Sequence, residues 1–223
     1  MIKTPDLIAS LAANATPVRR LRPPVMRAAC WLLLAAVVLT LLAINQGIRS
    51  DLVERLREPA FVACMAASLL TGVLAAVSAF LVSLPDRSRL WLLLPMPALV
   101  LWLSNIGYQC LVQWIDIGPD GVSLGEAARC FATLVLTSLP LSLAMLVMLR
   151  YAAPLRPTAV TLMGSLAVAA ITATALSLFH TVDATVMILM WNVGTAVVFV
   201  TLAGVFGRRM FQWVAPRTLE IRD

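Results

Sequence analysis

Residues 60–83 read AFVACMAASLLTGVLAAVSAFLVS. This stretch carries no Asp, Glu, Lys or Arg, and its small residues are spread along its length rather than alternating with polar ones. As a helix rising about 1.5 Å per residue, a run of this kind crosses a hydrocarbon layer about 30 Å thick. In water it would need a soluble core large enough to bury every face of the helix.

Working outward, the same kind of run recurs at 25–46, 90–114, 128–150, 158–180 and 184–206. The whole chain is 61% hydrophobic and 13% charged, with a mean hydropathy of +0.93. Soluble domains hold about 45–50% apolar and about 25% charged residues. The fold class expected is therefore all-α: a polytopic membrane protein of six transmembrane helices with both ends in the cytoplasm. It divides into a cytoplasmic tail at 1–24, a six-helix membrane domain at 25–206 and a second cytoplasmic tail at 207–223. The first run is too long for the core of a cleavable signal peptide, and no small-x-small site follows it, so it is expected to be retained.

Orientation follows from the basic residues. With the N-terminus inside, thirteen Lys and Arg face the cytoplasm and four (Arg49, Arg55, Arg57 and Arg129) face outward. That is a positive-inside distribution, and it requires an even number of spans. The net charge of +6 belongs to this topology signal, since the basic residues sit at the ends of apolar runs. Direct nucleic-acid binding is accordingly not expected. Acidic residues are absent from the spans and arginines appear only near their ends, as at Arg27, Arg129 and Arg150, which weighs against proton pumps and ion-coupled carriers.

Within the spans, Pro95, Pro97 and Pro140 each free a carbonyl that a neighbouring helix must satisfy, and kinks are expected there. Trp102 and Trp191 lie deep enough to pack between helices, whereas Trp91, Trp114 and Trp213 suit the interfaces. Small residues four apart, such as Ser68 and Gly72 or Ser165 and Ala169, suit close helix packing.

The N-terminal tail holds a short amphipathic pattern. Thr4, Pro5 and Asp6 suit a helix start. Leu7, Ile8, Leu11 and Ala15 then share one face before Pro17. Arg19, Arg20 and Arg22 follow, then Pro23-Pro24. A helix of this kind either lies on the lipid surface or docks its apolar face into a groove on a soluble partner.

The expected outer face carries a second set of candidates. Cys30 and Cys64 fall inside spans, where a thiol packs as a small hydrophobe. Cys110 and Cys130 fall near the outer ends of spans three and four, in an oxidising compartment, and either pair or act as redox-sensitive thiols. His180 and Asp183 share that side. Cys130, His180 and Asp183 form the nearest approach to a metal-binding set, but their spacing matches no zinc pattern. No cofactor is expected, and the chain lacks a phosphate-binding glycine loop, a His-Glu-x-x-His or a serine elbow, so an enzyme is not expected.

Three groups of residues carry a resemblance over nearly the full length. They are Asp6-Leu7-Ile8 through Pro17-Val18-Arg19-Arg20-Leu21-Arg22-Pro23-Pro24, then Arg129-Cys130 with Ser138-Leu139-Pro140, and finally Leu178-Phe179-His180 through Trp191 to Gly207-Arg208-Arg209. In these the chain resembles the negative-regulator-of-sigma-F (NrsF-like) family of bacterial membrane anti-sigma factors. The resemblance implies an inner-membrane protein that sequesters an extracytoplasmic-function sigma factor on its cytoplasmic side and releases it on an envelope, metal or redox signal. It favours a sigma-factor contact made by Asp6, Leu7, Ile8, Leu11, Arg19, Arg20 and Arg22, with Cys110, Cys130 and His180 as sensing candidates. The family pattern places a cysteine directly after the histidine of the last outer loop, as partner to the one in the Arg-Cys pair. Here Thr181 stands in that place, so a sensor built from those two positions lacks one thiol, and Cys110 is left as a substitute partner. Two other readings remain at this stage. One is a small transporter or channel for an uncharged or metal substrate, and the other is a scaffold subunit of a larger membrane complex.

Overall fold

The computed structural model describes residues 4–13, 22–113, 124–149, 157–179 and 201. Its elements are α1 (Thr4–Ala13), α2 (Pro24–Gln46), α3 (Leu52–Arg55) and α4 (Pro59–Val82), then a 3-10 helix (Arg89–Leu93), α5 (Met96–Gln113), α6 (Leu124–Leu149) and α7 (Pro157–Phe179). Among the described residues there is no strand, and five helical segments are long and apolar enough to cross a membrane. The all-helical expectation is met for those five; the sixth expected span, 184–206, lies outside the described residues except for Thr201.

The helix starts follow from the sequence. Pro24 and Pro59 each stand at the first turn of their helices, where a missing N–H breaks no helical bond and the fixed φ favours entry. α2 ends at Gly47, whose φ of 76° is a backbone conformation glycine adopts without a Cβ clash. The short connector through α3 then returns the chain to α4.

Five helices alternate in direction around α4 and α7, a central antiparallel pair in which Ser68 meets Thr174 and Gly72 meets Ile171. α2 and α6 pack together on one side of this pair, and α5 packs against α4 on the other. The pair approaches closely because Gly72 faces Ile171: a Cβ added at Gly72 would stand 2.9 Å from the Ile171 side chain. Nearby, the hydroxyls of Ser68 and Thr174 are 3.0 Å apart and hydrogen-bonded. Small residues at Ser68 and Gly72 therefore do what their spacing implied. Trp31, Phe80, Leu141 and Ile171 fill the larger core cluster, and Trp102 and Ile106 pack with Ala67, Ala170 and Ala173 in a second.

The surface is apolar. Leu33, Val37, Leu41 and Ile44 on α2, Val100, Leu101 and Leu103 on α5, and Phe131, Leu139 and Leu143 on α6 all face outward. Exposed apolar area on this scale suits contact with acyl chains, not water. Cys30 shares that outward face, while Cys64 is half-buried; the expected interior packing holds for Cys64 only.

The third span departs from a continuous 90–114 helix. It opens as a 3-10 helix, breaks at Leu94-Pro95 and continues as α5 from Met96. Pro95 has no N–H to offer the Trp91 carbonyl, so α-helical pairing fails there. That carbonyl instead accepts from the Leu94 N–H at 3.2 Å and from the Ser78 hydroxyl of α4 at 2.7 Å. Pro140 is accommodated inside α6, one residue before Leu141, whose carbonyl accepts from Trp31 Nε1 at 3.1 Å.

Candidate functional site

Because the helices alternate, their ends gather on two faces, and each face holds a polar cluster. The first collects the start of α2 and the ends of α4 and α6. Here Arg27, in the first turn of α2, is 6% exposed. Its Nη2 donates to the Met148 carbonyl in the last turn of α6. The guanidinium lies 5.1 Å from the centre of the Phe80 ring near the end of α4. A cation over an aromatic face and beside the carbonyl end of a helix is attracted by both. Its Nη1 is buried without a hydrogen-bond partner among the described residues.

The second face collects the end of α2, the connector, the start of α4 and the end of α7. Arg49 donates from Nε to Asp51 Oδ1 at 2.8 Å and from Nη2 to Oδ2 at 2.6 Å. This two-point pairing matches the fork of the guanidinium to the carboxylate. The Arg49 side chain is 5% exposed and its guanidinium lies 5.7 Å from the Phe61 ring. Its backbone N–H donates to the Leu178 carbonyl in the last turn of α7 at 3.2 Å. Asp51 is also 3.6 Å from Arg55 Nε, and Arg55 pairs with Glu58 at 3.2 Å. The hydrogen bonds from Arg49 lead the causes that hold the Asp51 carboxyl at about 2, below its ordinary 3.8. On the same face, the Thr133 hydroxyl of α6 donates to Gln46 Oε1 at 2.8 Å.

The residues singled out from sequence distribute as follows. Asp6, Leu7, Ile8 and Leu11 all fall in α1, where Ile8 is 62% exposed; the side chains of Asp6, Leu7 and Leu11 lie outside the described residues. Arg22 is exposed immediately before α2, and Arg19 and Arg20 lie outside the description. Cys110 belongs to the last turn of α5, and Cys130 to α6. Both stand on the second face by the course of their helices, with their side chains outside the described residues. His180 and Asp183 also lie outside, two and five positions after Leu178 in sequence. Among the described residues, no group of three His, Cys, Asp or Glu is placed to hold a metal ion.

Two features were missed from sequence. Arg27 reads as an ordinary topology arginine, and its only local signal is that Trp31 follows one helical turn later. Arg49 and Asp51 read as loop charges; the signal was their spacing of two within a connector too short to leave the bundle.

A family model described as NrsF, negative regulator of sigma F, matches residues 11–213. Of Leu7, Ile8 and Leu11, only Leu11 lies within that match. No curated protein and no solved structure matches the chain. Since the match runs from α1 to beyond Thr201 and so takes in nearly all of the chain, this protein belongs to the family of negative regulators of sigma F.

Proposed function

We propose that this chain is a membrane-bound anti-sigma factor of the bacterial inner membrane, with its N-terminus in the cytoplasm, that sequesters an extracytoplasmic-function sigma factor. The carrying observation is the family match over 11–213 on a chain with five helices long and apolar enough to cross a membrane. Such a protein has its partner in the cytoplasm and its signal outside, and the bundle between them must connect the two.

The tail is the contact element in this reading. Leu7, Ile8 and Leu11 supply an apolar face on α1 for a groove on the sigma factor, Asp6 lies beside it, and Arg19, Arg20 and Arg22 add charge attraction or anchor the hinge at the lipid headgroups. The second face is then the outer one. Cys110, Cys130 and His180 sense an envelope, metal or redox change on that side. Release of the sigma factor requires that the signal favour one bundle state over another.

A pulldown from the native bacterium in mild detergent tests this, using the full chain and a version lacking the residues before Arg19. Recovery of a sigma factor by the full chain alone is expected. Recovery by both forms would move the contact to the inner loops or C-terminal tail, and recovery by neither would refute the anti-sigma reading.

A further inference from the structure

The unpartnered nitrogen of Arg27 points to a moving part. This guanidinium is 6% exposed, and among the described residues no carboxylate meets it. One N–H group pairs with the Met148 carbonyl and the plane rests near Phe80, yet Nη1 is buried and unsatisfied. Burying a charged donor without an acceptor is unfavourable. An arginine in the first turn of a span has an alternative, because its long side chain reaches phosphate headgroups, which satisfy its donors fully. The clasped position is thus held by Phe80 and a helix-end carbonyl but carries an unmet donor. The extended position loses those contacts and satisfies every donor.

We propose that Arg27 is the pivot of a two-position switch at the head of α2. In one position it clasps the first turn of α2 to the ends of α4 and α6; in the other it is released onto lipid phosphates. The link to the tail is stiff, since Pro23 and Pro24 both have φ fixed by their rings and Pro23 is extended, with φ −50° and ψ 142°. A swing of the first turn of α2 therefore carries Arg22 and the tail with it, and changes how the tail is presented. The switch rests on the reading above in one respect only, that the tail it moves is the sigma-binding element.

Distance measurement between spin labels on unnatural amino acids at Val25 and Leu90 tests this. Both positions are exposed, at 64% and 72%, and lie on the first face. The full chain is placed in nanodiscs of phosphatidylethanolamine and phosphatidylglycerol. Wild type is expected to show two distance populations. Arg27→Leu, which can neither donate to the Met148 carbonyl nor reach phosphate, is expected to collapse the two populations into one. Phe80→Leu, which removes the ring under the guanidinium, is expected to raise the released population at least twofold. One identical distribution in all three proteins would overturn the switch. If Arg27→Leu fails to insert, Phe80→Leu against wild type decides alone. Sigma-factor binding plays no part in this readout, so the switch and the anti-sigma reading fail independently.

Discussion

At the scale of single residues, the most consequential pair is Arg49 with Asp51. Arg49 is almost fully enclosed, so removing its carboxylate strands a buried cation beside the end of α7. Asp51→Asn is expected to destabilise the bundle by about 2 kcal/mol, read as a drop in thermal unfolding midpoint in detergent. Linkage gives this contribution a pH dependence. The folded carboxyl titrates at about 2 against an ordinary 3.8, so the stabilisation is fully present above about pH 4. It is lost as pH falls through the folded value. The wild-type midpoint should therefore fall toward that of Asp51→Asn between pH 4 and pH 2, and the two curves should run parallel at higher pH. A constant gap down to pH 2 would mean that the pair contributes nothing through its charge.

At the scale of elements, α4 sets the geometry of its neighbours through two small residues. Ser78 supplies the hydroxyl that takes up the carbonyl freed by Pro95. Ser78→Ala is expected to cost ~1 kcal/mol, the usual size of an interhelical hydrogen bond in a membrane. In a Pro95→Ala background the returned N–H offers the Trp91 carbonyl a replacement partner, so the same substitution should cost less than half as much. Equal costs in both backgrounds would show that the hydroxyl is not compensating for the proline. Gly72 is the second contact. Gly72→Ala sets a methyl group 2.9 Å from Ile171 and is expected to destabilise by about 1–3 kcal/mol. Gly107→Ala meets nothing within 4 Å, and should be neutral in the same unfolding assay.

These elements also mark what the sequence made legible. Apolar length located α2, α4, α6 and α7, because a single apolar run of about twenty residues satisfies its own backbone polar groups in hydrocarbon as a helix. The closeness of α4 to its partner was readable from Ser68 and Gly72, though not that α7 would be the partner. The break at Pro95 was expected only as a kink, since whether a helix bends or restarts depends on a neighbour's hydroxyl that lies seventeen positions earlier in the chain. Arg27 and Arg49 were illegible as buried groups: an arginine at a span end looks the same in sequence whether it reaches for headgroups or folds inward onto Phe80.

At the scale of the whole molecule, alternating helices join the proposed sensing face to the proposed binding tail. The proposed orientation makes Arg27 cytoplasmic and Arg49 external. Reporter fusions after Arg87 and within the connector at Glu54 should place these loops on opposite sides of the membrane, the first inside and the second outside. The reverse pattern would exchange the two faces and remove the tail from the sigma factor's compartment. The central claim is that this chain holds a sigma factor at the membrane. The most direct measurement is the partition of that sigma factor between membrane and soluble fractions of the native bacterium, with and without this protein, under non-inducing conditions. The sigma factor is expected to sediment with membranes when the protein is present and to become soluble when it is deleted. An unchanged partition would contradict the account.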